Sequence, residues 1–377
     1  MLLLAFLLVL PVSADANTAL PTSESESNSL PCASAILMDA ATGRVLFEQN
    51  ADAALPPASV TKIMTLLLIM EAAESGKIAL SDMVSVSERA AGMGGSQVYL
   101  KVGESMSVEE MLKCVVIASA NDCAVALAEH VAGSEEAFVS HMNRRASELG
   151  MVNTHFENTN GLDDTAENHV TSARDIAIMS RALIAYPKIL EYSSTWMDSI
   201  RDGAFGLTNT NRLVRFYPGC TGLKTGSTSR AGFCISATAE RDGLSLICVI
   251  MAAKTRDIRN ATAARLFDLG FANYATYRAE SGERTVPLVG GNESEIQVTW
   301  KGFAETVTKG QVGDIVCRVE LPEKLTAPVA KGDTVGEVIY TCGAEEIGRV
   351  PVLASKNAEK IDFSSLFGRI FCGFLLI

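Results

Sequence analysis

Ser59 and Lys62 stand three residues apart, immediately ahead of an apolar run over residues 63–70. If that run is helical, positions i and i+3 share a face about one turn apart. A serine so placed can be a nucleophile and the lysine its base. Taken alone, the spacing is equally that of an N-cap serine followed by a solvated lysine. Two later triplets shift the weight. Ser119-Ala120-Asn121 separates two apolar helical stretches, 111–118 and 124–128, and so belongs on a tight loop between helices. Lys224-Thr225-Gly226 opens a β region, where a glycine leaves room for a second backbone to approach the strand.

The elements that must position these groups can be read from the pattern of apolar residues. Residues 35–39 and 45–48 flank a Gly43 turn and read as strand, turn, strand. Helical patterns follow at about 59–74, 107–119, 122–131, 134–149 and 172–186. Residues 233–239 and 244–250 flank Arg241-Asp242-Gly243, a hairpin signal, and a last helix over about 257–269 ends at Gly270. The expectation is an α/β (α+β) unit over 31–280, with an antiparallel sheet and a helical subdomain. From 284 to 362 the texture changes to short β-like runs (285–288, 295–299, 305–308, 314–320, 325–328, 334–340 and 348–353), which reads as a small all-β domain.

The ends carry other signals. Residues 1–10 are almost wholly apolar, and Pro11-Val12-Ser13-Ala14 offers a cleavage point, so 1–14 is expected to be an export signal despite lacking a positive n-region. Residues 15–30, with serines alternating with Glu24, Glu26 and Asn28, read as a disordered spacer. In the tail, 363–377, Leu366, Phe367, Ile370, Phe371, Phe374 and Leu375 fall on one helical face. A bilayer crossing needs about 20 residues, so this segment is expected to lie in a membrane surface or to dock on the protein's own core.

Bulk properties narrow the classes of function. The chain has 377 residues, 48% hydrophobic, enough for two domains with substantial cores. A net charge of −12 without a compensating basic run argues against nucleic acid as a partner. The nine cysteines show no C-x-x-C and no zinc-like spacing, and are expected to be mostly unpaired core thiols. His130, His141, His155 and His169 are scattered and read as non-catalytic. Asp163, Asp164 and Glu167 read as a solvated acidic loop rather than a metal site. No metal and no cofactor is called for.

Taken in order, S-x-x-K, S-x-N and K-T-G resemble the signature of penicillin-binding proteins and class A β-lactamases. The chain is most similar to the low-molecular-weight D-alanyl-D-alanine carboxypeptidases, serine peptidases of family S11 that trim peptidoglycan stem peptides. The resemblance runs over residues 32–280 and includes Pro57-Ala58-Ser59-Val60-Thr61-Lys62, Ser119-Ala120-Asn121-Asp122-Cys123-Ala124, Asn153-Thr154-His155-Phe156, Gly161-Leu162 and Gly222-Leu223-Lys224-Thr225-Gly226. The β-rich segment and the tail suit the same layout. It implies a peptidoglycan stem peptide ending in D-Ala-D-Ala as substrate, β-lactam antibiotics as covalent inhibitors, and an exported enzyme held at the outer face of the cytoplasmic membrane by its tail.

The resemblance also implies roles. Ser59 would form the acyl-enzyme and Lys62 would take its proton. An ordinary lysine titrates near 10.4, so keeping Lys62 neutral at about pH 7 costs about 4 kcal/mol. Burial supplies part, and Lys224 is the candidate cation for the rest. Lys224 and Thr225 would also hold the substrate carboxylate, with Arg259 as the basic residue on the following helix. Ser119 would pass a proton to the leaving amine. Asn121 would hold the substrate peptide or position Lys62. The N–H groups of Ser59 and Ser227 would form an oxyanion hole beside Gly226. Two positions depart from the family pattern: Thr221 stands where an acidic residue is frequent, and Ser227 replaces a frequent histidine. A β-lactamase, an endopeptidase and an inert cell-wall binding module are the other readings. The first lacks a Glu-x-x-Leu-Asn loop, since residues 157–160 read Glu-Asn-Thr-Asn.

Overall fold

The computed structural model describes residues 29–163, 166–362 and 367. The expected export signal and all of the expected tail except Phe367 lie outside the described residues, as does most of the spacer.

A five-stranded antiparallel sheet organises the first part of the chain, in the order Val45–Gln49, Ser34–Asp39, Leu244–Ala253, Gly232–Arg241, Cys220–Thr228. Successive residues of a strand point to opposite faces, and here both faces are covered. Ile36, Met38, Ile247, Val249 and Met251 enter the larger core beneath the helical subdomain. Leu37, Leu246, Cys248 and Ile250 pack under the Arg256–Asn273 helix with Leu266 and Phe267. Coverage on both sides explains why Leu244–Ala253 reads as an unbroken apolar run rather than an alternating one.

The Lys62–Glu74 helix is apolar around its whole circumference and lies within the subdomain core. It packs against the Asn121–Ala132, Glu135–Glu148 and Ala173–Leu183 helices. The helix expected over 107–119 takes a different form. An α-helix, Val108–Lys113, is capped by Ser107 Oγ accepting from Glu110 N (3.2 Å) and then widens into a π turn over Cys114–Ala118. The Ser119 N–H closes on Cys114 O, and Ser119 itself is left-handed at φ 64°. Between the last expected subdomain helix and the K-T-G strand lie elements that no periodic pattern marks. These are the Pro187–Ser193 helix, the Met197–Ile200 and Phe205–Thr208 hairpin, and the short Leu213–Phe216 helix.

The C-terminal part is all-β, as expected. Six strands form one sheet in the order Ile315–Glu320, Thr334–Cys342, Glu345–Ala354, Glu295–Trp300, Gly282–Val289, Leu325–Thr326. Its core centres on Val286, Ile296, Val298, Val338, Tyr340 and Val352. The Phe303 ring stacks on Tyr340 at 4.2 Å. Tyr274–Ala279, which follows directly from the long helix, pairs with Phe303–Thr308. That ladder meets the first sheet through the turn after Ser34–Asp39. The buried Asp39 carboxylate accepts from Thr306 Oγ1, Thr42 and Thr306 hydroxyls lie 2.8 Å apart, and Arg44 Nη1 donates to Thr306 O.

Among the described residues no helix is long and apolar enough to cross a membrane, and no group of His, Cys, Asp or Glu could hold a metal ion. The eight described cysteines are free thiols, with Cys114, Cys123, Cys234 and Cys248 buried and Cys317 exposed.

Candidate active site

Ser59 sits on a single 3-10 turn, Ala58–Thr61, that leads into the Lys62–Glu74 helix. The turn is held from three sides. Ala58 is left-handed at φ 49°, a conformation that residues with a Cβ rarely adopt. Its carbonyl lies so close to Gly161 that a Cβ there would fall 1.8 Å from the oxygen. Behind the turn, the Glu157 N–H donates to His169 Nδ1 (3.0 Å). Nδ1 must therefore be unprotonated, so Nε2 carries the hydrogen and donates to Thr61 Oγ1 (2.7 Å). The Thr61 hydroxyl hydrogen then goes to Ala58 O (2.8 Å). His169 is buried and its pKa is pushed down to about 4, chiefly by desolvation and then by nearby His155. The histidine that reads as merely scattered thus supports the Ala58 carbonyl that precedes Ser59. On the third side Gly226 abuts the turn: a Cβ there would lie 2.8 Å from both Pro57 O and Ser59 N. The K-T-G glycine leaves room for the close backbone approach that its type suggested.

Lys62 is fully buried, and its Nζ has three partners: Ser59 Oγ (2.9 Å), Asn121 Oδ1 (2.6 Å) and Asn160 O (2.8 Å). Two of these can only accept, whereas the hydroxyl can also donate. A neutral amine has two N–H groups and one lone pair. It satisfies this set with both hydrogens on the amide oxygens and the lone pair on the Ser59 O–H. The Lys62 pKa lies well below the ordinary lysine value, first because of burial and second because of the Lys224 charge, opposed by Asp122. Of the two roles expected for Asn121, this contact fits the positioning of Lys62; its Nδ2 donates to Gly94 O (2.7 Å). The Asn160 carbonyl was not foreseen, because a backbone group leaves no mark on residue type. Its loop is fixed by the buried Glu135, which accepts from Thr159 N and Oγ1 and from Arg89 Nε.

Ser59, Ser119, Thr225, Gly226, Ser227 and Arg259 line one cavity of ≈ 660 Å³. Lys224 is buried beneath it, with Nζ on Thr225 O (3.0 Å) and a pKa lowered to about 7 by burial and then by Arg259. Thr225 Oγ1 donates to Thr210 Oγ1 (2.8 Å). Arg259 is buried, donates to Cys234 O (3.2 Å), and has its own pKa lowered to about 10 by desolvation and by Arg256. The wall also includes Trp196, Arg212, Phe216 and Arg256, none of them anticipated. No carboxylate lines this cavity, whereas three arginines do. Such a lining suits an anionic group beside the Ser59 hydroxyl, as a peptide ending in a free carboxylate would present. Of the departures, Thr221 bonds Thr238 Oγ1 (2.8 Å) on the neighbouring strand, and Ser227 is exposed at the cavity rim. In the acidic loop, Asp163 accepts from Thr228 Oγ1 and so ties the loop to the end of the K-T-G strand.

Comparison with known proteins identifies the family. The family model described as D-alanyl-D-alanine carboxypeptidase, peptidase S11, matches residues 21–255. That of the penicillin-binding protein 5 C-terminal domain matches residues 271–360. The D-alanyl-D-alanine carboxypeptidase DacF of Bacillus subtilis is 41% identical over 344 residues, covering 89% of this chain and 88% of its own. Penicillin-binding protein 5 of Haemophilus influenzae superposes with a TM-score of 0.77 at 30% identity, over 89% of this chain and all of its own. Penicillin-binding protein D2 of Listeria monocytogenes in its ampicillin-bound form has a TM-score of 0.59 at 31% identity, over 64% of this chain and 98% of its own. The chain therefore belongs to the D-alanyl-D-alanine carboxypeptidases of the S11 serine peptidases.

Proposed function

We propose that Ser59 is the nucleophile and Lys62 its base in removal of the terminal D-alanine from peptidoglycan stem pentapeptides. The observation that carries this is the Lys62 amine, buried between two amide oxygens and the Ser59 hydroxyl. In the reaction, the Ser59 proton moves to Lys62 Nζ as Oγ bonds to the penultimate D-alanine carbonyl. The N–H groups of Ser59 and Ser227 receive the oxyanion beside Gly226. Ser119 Oγ relays the proton to the leaving amine, the C–N bond breaks, and D-alanine departs. Lys224, Thr225 and Arg259 hold its carboxylate until then. Lys62 next takes a proton from water as its oxygen attacks the ester carbonyl, and passes that proton to Ser59 Oγ as the C–O bond breaks, which releases the shortened peptide and restores the free enzyme. β-Lactams acylate the same serine.

A β-lactamase would need a carboxylate to activate water quickly at the acyl-enzyme, and none lines the cavity. Residues 31–280 are proposed as the catalytic unit and 284–362 as a separate β-rich unit. The 1–14 segment would direct export, and the 363–377 segment would rest on the outer face of the cytoplasmic membrane. Deleting 363–377 and assaying membrane association tests the last point; unchanged association refutes it.

A fluorescent penicillin should label the wild-type protein and leave Ser59→Ala unlabelled. Incubation with a D-Ala-D-Ala-ended peptide should release free D-alanine. Labelling of the alanine variant at the normal rate, or cross-linked product in place of D-alanine, overturns the assignment.

A further inference from the structure

Beside the catalytic cavity lies a second groove, ≈ 590 Å³, lined by Tyr99, Lys101, Val102, Gly103, Glu104 and Arg201. Tyr99 is 67% exposed and Val102 61%, at the tip of a loop that contributes Ser96 to the cavity. The exposure is imposed by the backbone. The buried Asp122 carboxylate accepts from Val98 N (3.0 Å) and Leu100 N (3.1 Å), drawing both neighbours of Tyr99 inward. Tyr99 itself is left-handed at φ 58°, a region that bulky residues seldom occupy. The groove is braced by Arg201, which bonds Glu104 Oε1 (2.8 Å) and Val98 O (3.0 Å) and lies over the Phe205 ring at 5.6 Å. Phe205 meets Tyr99 edge-on at 6.4 Å. Asp122 follows Asn121 directly, so one short segment positions both Lys62 and this aromatic platform.

We propose that this groove binds a sugar ring of the glycan to which the stem peptide is attached, with the ring's C–H face on Tyr99. This rests on the carboxypeptidase reading. An exposed aromatic surface rimmed by Lys101, Glu104 and Arg201 matches a pyranose, which has an apolar face and an equator of hydroxyls. Ser96 is three residues from Tyr99, a separation of at most about 11 Å along the chain. The four peptide residues between the scissile bond and the sugar span about 14 Å when extended, more than the separation of Tyr99 from the cavity wall at Ser96.

The test measures D-alanine release from a disaccharide-pentapeptide and from the sugar-free pentapeptide. Tyr99→Ala should lower kcat/KM about fivefold or more on the disaccharide substrate relative to the free peptide, and Tyr99→Phe should restore the ratio. Equal losses on both substrates would mean that Tyr99 acts only by shaping the loop, and would overturn the proposal, as would no loss on either. Titration of peptide-free disaccharide followed by NMR reads the groove without turnover. Amide shifts confined to residues 97–104 and 201–205 and abolished by Tyr99→Ala are expected; shifts elsewhere overturn it. If wild-type enzyme releases D-alanine from neither substrate, the carboxypeptidase reading fails, and the titration alone decides the groove.

Discussion

The two sheets of this molecule treat charge in opposite ways. Around the first sheet Lys62, Lys224, Arg259, Asp122 and Glu135 are all buried, each against particular partners. In the C-terminal sheet the ion pairs are exposed, as in Arg349 with Glu337 and Glu346, and among the described residues of its six strands none of the Ser, Thr, Asn, Gln or charged side chains is buried. A buried charge is expensive, and the surroundings that make it tolerable also shift its pKa. On the proposed reading, the first region uses that cost to make an amine into a base. The second keeps its charges in water, where they favour solubility and have little influence on one another.

If the contrast is real, substitutions should grade accordingly. Lys62→Ala should slow acylation by penicillin about a thousandfold with the fold retained, measured by stopped-flow labelling beside circular dichroism. Gly226→Ala forces a Cβ against Pro57 O and Ser59 N. A misplacement on that scale costs about a hundredfold in acylation rate. Lys224→Gln removes both the carboxylate partner and the cation that depresses Lys62. kcat/KM should fall about 30-fold, mostly through KM. Because Lys62 must be neutral to act, its raised pKa moves the acid limb of the pH–rate profile to higher pH; a limb that stays in place would remove Lys224 from the tuning of Lys62.

His169 gives a subtler test. Its folded pKa of about 4 lies below the ordinary 6.5, so the unfolded chain binds the proton more readily. Stability is then full above about pH 6.5 and declines as the pH falls through 4, by on the order of 3 kcal/mol. Denaturant midpoints across that range should show the slope in the wild type and flatten in His169→Gln. At the small end, Arg349→Ala in the exposed network of the second sheet should leave acylation unchanged and the melting transition nearly so. A marked change in acylation would mean that the two regions are coupled.

Much of this was readable from residue types, for reasons that can be stated. The places of Ser59, Lys62, Asn121 and Lys224 follow from residue type, since each lies next to a strong helix or strand signal. The strands of the C-terminal domain are bounded by Gly, Pro and Asn turns. What could not be read depends on backbone atoms or on loops with no period. The Asn160 carbonyl, the π turn that delivers Ser119, and the left-handed Ala58 are conformations rather than compositions. Trp196, Arg212 and Phe216 reach the cavity from a stretch without a regular apolar repeat. His169 lies 108 residues from the threonine it supports, and nothing local ties the two together.

The Cys220–Thr228 strand ends its sheet. A terminal strand presents a row of donors and acceptors on its outer side, and an extended peptide can join it as one more strand. A template of that kind recognises main chain, whatever side chains the guest carries. It would admit stem peptides of differing composition alike and leave discrimination to what terminates them. Such an enzyme is a gauge of chain ends, tolerant along the length of its substrate and exacting at the last residue.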